Sequence, residues 1–334
     1  MITNVQKGHQ LITKDGIEYY TVDGLEDAHA EMLRLLKIIN KISLDNDISY
    51  WIDAGSLIGL LRHKGFIPWD DDLDIAMLKA DYLKLITCLT EYCKKNSDAF
   101  LIFQSPQKHH CCNYFASKHL FYRSQGSPSL IPVKVDIRVY NCIKNSEDSR
   151  KENSLLKDTA NYYIFGKSYG ILKDLKVNKI KIENFFNNYV YNYGLYNPKA
   201  KDAYISSPYF EFSNEFDIIY NHIFPLRRIP FSDIEVPIPN QYDYILKELY
   251  GDYMKLPSLE HRAPIACEFV KKNISSSFYK NYVKYCFGRK TIITKIWENL
   301  YCIRVSGLSK YCKIRFQEKK ASMDSDYESE KDSW

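Results

Sequence analysis

The chain runs Asp70-Asp71-Asp72-Leu73-Asp74 directly into Ile75-Ala76-Met77-Leu78, so four carboxylates abut a run suited only to a protein interior. In an extended strand successive side chains alternate between faces, and the spacing predicts that Asp70, Asp72 and Asp74 project together. Three carboxylates on one face repel one another unless a cation neutralises them. Acidic runs are more often solvated loops, but Trp69 before this one and Ile75-Ala76-Met77 after it argue against a free surface loop. A metal site is the expectation. Upstream, Gly55-Ser56 offers a tight turn with exposed N–H groups, suited to cradling a phosphate. Arg62, His63 and Lys64 add further donors. Together these residues suit metal-assisted phosphoryl or nucleotidyl transfer. A further carboxylate, Asp136, sits between Val135 and Ile137 in an alternating strand pattern, where a charge needs a reason. Its plainer role would be an ion pair with Lys134 or Arg138.

The stretch GSLIGLLRHKGFIPWDDDLDIAML, residues 55–78, resembles the LicD-type phosphotransferase family, a branch of the nucleotidyltransferase fold that includes the fukutin-related proteins. Ser56 stands where threonine is common, and Asp81-Tyr82 supply the acidic–aromatic pair that follows. Lys79 replaces a common arginine, which keeps the charge but loses the bidentate fork. A second block, Phe224 to Pro257, is similar to the family's C-terminal signature, so the resemblance covers residues 30–262. It implies an α+β fold: a nucleotidyltransferase-like mixed β-sheet flanked by helices, with family-specific insertions and a basic C-terminal helical segment. It also implies transfer of a phospho-alcohol group, of phosphocholine or polyol-phosphate type, from a CDP-activated donor. The acceptor would be a hydroxyl of a glycan or lipid-linked glycan, as in lipopolysaccharide, capsule or teichoic acid biosynthesis. On this reading Asp70, Asp72, Asp74 and Asp136 hold Mg2+, with Mn2+ a substitute, and Asp72, Asp74 and Asp136 are catalytic. Gly55, Ser56, Arg62, His63, Lys64 and Arg262 bind substrate, Arg262 on the diphosphate, although a purely structural arginine suits position 262 nearly as well. Arg138 and Val139 stand where the family's strand carries an aromatic and a proline, so the pocket wall is expected to differ there. Nucleotidyl transfer to a small alcohol or sugar phosphate needs the same residues and is the alternative. A non-catalytic, membrane-associated protein retaining the fold is a third reading, weakened by the intact carboxylates.

With 334 residues and 45% hydrophobic content, the chain can bury a large core. No positive segment followed by an apolar run marks the amino end, and no stretch reaches spanning length, so a cytoplasmic location is expected. Nine cysteines without a C-x-x-C pair suit reduced thiols. The spacing of His109-His110-Cys111-Cys112 matches no usual zinc finger, and these are read as ordinary loop and strand residues. The net charge of +5 is unevenly spread: residues 271–320 carry a local +11 and the last fourteen residues a local −4. A basic segment interleaved with aromatic and aliphatic residues suits peripheral contact with an anionic membrane on its inner face. No nucleic-acid recognition motif accompanies it, so nucleic acid is not expected as a partner.

The organisation read from the pattern is a β-rich lead-in over 1–24, a catalytic domain over 25–265, a basic helical segment over 266–320 and an acidic, disordered tail over 321–334. Helical periodicity covers 25–46, with Ala28, Met32, Leu35, Leu36 and Ile39 on one face. Strands are expected over 48–52, at the aspartates, and over 100–104, 114–122 and 133–142. Helices are expected over 57–62, 80–95, 149–165, 177–193 and 242–250, the last ended by Gly251. Residues 234–239, with two prolines, read as an edge strand.

Overall fold

The computed structural model describes residues 5–103, 113–124, 130–144, 203–206 and 218–272. The helices expected over 149–165 and 177–193, the His109–Cys112 cluster, and the segments beyond 272 lie outside the described residues. The chain opens with a hairpin, β1 (Gln10–Lys14) and β2 (Ile17–Thr21), and then α1 (Leu25–Asp45). The stripe predicted on α1 is the one it buries: Ala28, Met32, Leu35, Leu36 and Ile39 are fully inaccessible. Each large aliphatic side chain of this kind contributes about 1.5–3 kcal/mol on burial. Gly24 at the head of α1 has φ +92, and a Cβ there would come within 2.8 Å of the Phe269 Cβ. Glycine is therefore required by both conformation and packing.

After α1 come β3 (Trp51–Ile52), α2 (Ala54–Arg62), β4 (Asp74–Leu78) and α3 (Lys79–Lys95). Next are β5 (Ala99–Phe103), β6 (Asn113–Ser124) and β7 (Ile131–Lys144). Then follow β8 (Ala203–Ser206), β9 (Ile218–Ile219) and α4 (Tyr220–Ile223). The described chain ends with β10 (Arg227–Phe231), β11 (Ile234–Ile238), α5 (Tyr242–Tyr250) and β12 (Ala266–Lys271). The main sheet has the order β12-β6-β7-β4-β3, with β5 beside β6 and β8-β9 continuing from β7. Its β4–β7 pair is parallel and its other pairings are antiparallel. This is a mixed sheet flanked by helices. α1 and α3 cover one face, where Leu85 and Leu89 meet Phe115, Val135 and Ile137. The other face buries Trp51, Ala76, Leu78 and Cys142 beneath Ile223 of α4 and Ile245 of α5. β4 is buried along its whole length because it is covered on both faces.

Two expectations are corrected. The aspartate run is not one extended strand, because β4 begins only at Asp74 and residues 70–73 are irregular. The sheet also extends past 265, since β12 pairs antiparallel with β6. Among the described residues β11, with Pro237, pairs with β10 alone, in a hairpin separate from the main sheet.

Candidate active site

The β4–β7 register sets Asp74 opposite Asp136, Ala76 opposite Arg138 and Leu78 opposite Tyr140. Because side chains alternate, these six share the face away from α1 and α3, while Ile75, Met77, Val135, Ile137 and Val139 enter the core beneath those helices. Asp74 is held from three sides. Its N–H donates to Ser56 Oγ at 2.8 Å. Its carbonyl accepts from the Asp53 N–H at 3.1 Å. Its carboxylate takes a two-pronged fork from Arg138, with Nε to Oδ1 at 3.1 Å and Nη2 to Oδ2 at 3.0 Å. The Asp136 N–H donates to the Leu73 carbonyl at 2.8 Å, and its carboxylate is ion-paired with Lys134. Both partners proposed for Asp136 on the plainer reading are therefore engaged at this site, and Asp136 still stands beside Asp74.

The electrostatics follow from burial. Desolvation raises the Asp74 carboxyl well above its usual range; Arg138 opposes this, while Asp72, Asp136 and Asp53 reinforce it. Asp136 is likewise raised by burial, opposed by Lys134 and reinforced by Asp72. Asp70 is raised well above its usual range by burial, by the charges of Asp72 and Asp71, and by a hydrogen bond with Asp72. Asp70, Asp72, Asp74 and Asp136 thus lie within one another's fields although they do not share one strand. The fourth aspartate of the run does different work. Asp71 Oδ2 accepts the Ala266 N–H, anchoring the start of β12, and burial pushes its carboxyl up to about 6.

Gly55 lies against the cluster, since a Cβ there would stand 3.4 Å from Asp70 Oδ2. Ser56 is 6% exposed, and its hydroxyl oxygen accepts the Asp74 N–H, a contact that positions the start of β4. Arg62, His63 and Lys64 were expected on phosphates. Arg62 Nη1 instead donates to the carbonyls of Tyr253 and Lys255 at 2.8 and 3.1 Å, tying α2 to the segment after α5. His63 packs edge-on against Trp69 and, with Arg62, lines a separate cleft on the β1–β2 hairpin. Lys64 is exposed in a turn at φ +60. Arg262 donates to the carbonyls of Pro257 at 2.7 Å and Glu18 at 3.1 Å, which ties down the hairpin.

Several residues were not foreseen. Asp53, 8% exposed, accepts the Tyr140 hydroxyl at 3.0 Å. Tyr250, at the end of α5, is 39% exposed, and its hydroxyl is shifted up by burial and by the charges of Asp53, Asp74 and Asp72. Its hydroxyl therefore lies in the field of those carboxylates, although α5 comes late in the described chain. Only the position of Asp53, immediately before α2, was a sequence signal for these; Gly55-Ser56, expected as a tight turn, lie in the first turn of that helix. Oxygen-only donors, buried and mutually repelling, suit a hard divalent cation in chemistry. Among the described residues no three carboxylate, imidazole or thiolate groups stand at the spacing of a metal-ligand set; Asp136 and Asp74 are paired with Lys134 and Arg138.

Residues 47–169, which carry all four of these carboxylates, match the family described as LicD/FKTN/FKRP, nucleotidyltransferase domain. That stretch, little more than a third of the chain, is similar to the LicD family's domain. Arg262 and Tyr250 lie outside the matched span of that domain. The chain is 24% identical over 273 residues to the lipopolysaccharide cholinephosphotransferase LicD of Haemophilus influenzae, covering 72% of this chain and 95% of that protein. It is 28% identical over 137 residues to an uncharacterized protein of Rickettsia prowazekii, covering 35% of this chain and 51% of the relative, about half its length. A 61-residue match at 38% identity links it to an uncharacterized protein of Rickettsia typhi, covering 18% of this chain and 20% of that protein.

Proposed function

We propose that this protein transfers a phospho-alcohol group, of phosphocholine or polyol-phosphate type, from a CDP-activated donor to a glycan hydroxyl. The observation that carries the reading is Asp74 opposite Asp136 on parallel strands, with Asp72 in the field of both, inside the stretch similar to the LicD family's domain. The cholinephosphotransferase named above supports the transferred group and the glycan acceptor. Asp72, Asp74 and Asp136, assisted by Asp70, would hold Mg2+ or Mn2+, which neutralises charge on a diphosphate and its leaving nucleotide. Asp136 shares that ion or receives the acceptor's proton. Burial moves its carboxyl toward the range a general base needs, and Lys134 limits the shift. Arg138 holds the Asp74 carboxylate in one orientation. The nucleotidyltransferase-like likeness of the mixed sheet belongs to the same proposal.

Nucleotidyl transfer is the second reading, favoured by the description of the matched domain. Titration of Mg2+ and Mn2+ with a labelled CDP donor and a glycan acceptor separates the two. Released cytidine monophosphate supports phospho-alcohol transfer, whereas a cytidylylated product supports the alternative. Absence of turnover across a panel of donors overturns both.

A further inference from the structure

A cleft of about 760 Å3, within the range of small-ligand sites, lies between the β1–β2 hairpin, the first turn of α1 and residues 62–68. Its floor is one face of the hairpin, because Ile12 pairs with Tyr19 and Lys14 with Ile17, and all four line it. The wall opposite carries His29, His63 and Phe66. The cleft abuts the aspartate segment, since His29 Nε2 meets the Asp70 carbonyl at 2.6 Å.

Three observations select the ligand. First, Tyr19 lines the cleft and is 4% exposed, and its hydroxyl, which bonds no described residue, is open to solvent rather than sealed in the core. Lys14, Glu26 and Asp15, whose charges act on that hydroxyl, line the same cleft. Second, the two imidazoles are complementary. A carbonyl can only accept, so His29 Nε2 donates to it and Nδ1 is left as an acceptor. His63 Nε2 accepts from Arg62 Nε at 2.9 Å, so in the neutral ring Nδ1 carries the proton. Burial and Arg62 keep that ring neutral, with a pKa lowered to about 4. Third, the charged side chains disfavour an anion. Glu26 is paired with Lys14, Asp27 with Lys271, and Arg62 is engaged by carbonyls. Asp15 and Asp23 have no ion-pair partner among the described residues. A caged quaternary ammonium needs free aromatic faces. Here Phe66 is stacked on His29 at 4.4 Å and Tyr19 packs against Trp69, so polar edges rather than faces are presented.

We infer that this cleft is a carbohydrate subsite, taking a neutral sugar unit whose hydroxyls engage Tyr19, His29, His63 and Asp23. It rests on the transferase reading only for its role in turnover, where it would seat a sugar of the acceptor glycan beside the unit that is modified. Binding itself is independent of that reading. The test is titration of the full chain with lactose, cellobiose and di-N-acetylchitobiose, without donor or divalent cation, by calorimetry or saturation-transfer NMR. At least one disaccharide is expected to bind. Tyr19→Phe, which keeps the ring, is expected to weaken it about fivefold or more. Asp23→Asn is expected to weaken it as well. Choline and inorganic phosphate, each in large excess, should leave the sugar bound. Failure of all three to bind overturns the assignment, as does unchanged affinity in a folded Tyr19→Phe protein. Displacement by choline would mark a cation site and displacement by phosphate an anion site, and either result also overturns it. With no donor present, absence of transferase turnover would leave a positive result standing.

Discussion

Asp74 and Asp136 face each other on neighbouring strands, and each already carries a cationic partner, Arg138 and Lys134. The fork on Asp74 offsets the desolvation of a carboxylate whose side chain is only 5% exposed. Arg138→Met is therefore expected to cost about 1–3 kcal/mol of stability at neutral pH. Mg2+ or Mn2+ should restore part of it, because a bound cation relieves the same repulsion. Chemical denaturation with and without the ion checks this; an unchanged midpoint would show that the fork contributes nothing. Asp72→Asn or Asp74→Asn should abolish turnover while the circular dichroism spectrum stays native, and retained activity in either would refute the carboxylate assignment. Asp71 gives a prediction for pH. Its folded value of about 6 lies above the unfolded carboxyl near 3.9, so the folded state holds the proton more tightly. The stability it contributes is full below about pH 4 and is lost as pH rises through 6, on the order of 2–3 kcal/mol. Asp71→Asn should flatten the fall in melting temperature between pH 4 and 7; a variant with an undiminished fall would place its cause elsewhere. Asp70, Asp72, Asp74 and Asp136 drew notice in the sequence because charges beside an apolar run have few uses. The roles of their neighbours were not. Arg62 and Lys64 look identical in sequence as phosphate donors, and only their partners show that one ties carbonyls while the other is solvated.

At the scale of elements, α2 and β4 form one device. The Ser56 hydroxyl accepts the Asp74 N–H, and the Asp53 N–H donates to the Asp74 carbonyl, so the N-cap and first turn of α2 fix where the strand begins. Ser56→Ala would leave a buried N–H without its partner and should cost about 1–3 kcal/mol. It should lower kcat through a displaced Asp74, so a variant that melts lower but turns over normally would confine the contact to stability. Farther along α2, a Cβ on Gly59 would lie 2.7 Å from the Gly65 carbonyl oxygen and 2.8 Å from the Ile67 nitrogen. That contact explains why the Gly65-Phe66-Ile67 loop folds tightly back on the helix. Helix positions were legible from the 3.6-residue stripe on α1 and from Gly251 after α5. The start of β4 was not, because alternation of charges alone looks the same in a strand and in the irregular approach to one.

Across the whole molecule, segments far apart in sequence meet at one end of the sheet. Arg62 reaches the carbonyls of Tyr253 and Lys255, Arg262 reaches Glu18, and Asp71 anchors Ala266. Both signature blocks are thereby tied together, with the Tyr250 hydroxyl in the field of Asp74 and Asp72. The excess positive charge over 271–320 is a property of the chain as a whole. Truncation after Asn273 should weaken co-sedimentation with anionic vesicles, more so at low ionic strength; unchanged sedimentation would remove membrane contact from the account. What the sequence determined by itself was local: which residues are helical, which strands are covered on both faces, and that buried carboxylates need a cation. Periodicity and charge are short-range properties of a chain, so they are readable along it. The tertiary structure decided which carboxylates stand together, which cations neutralise them and which arginines are tied to carbonyls. Those are contacts across up to 244 residues of chain, as in the Arg262 bond to Glu18, and no local pattern encodes them.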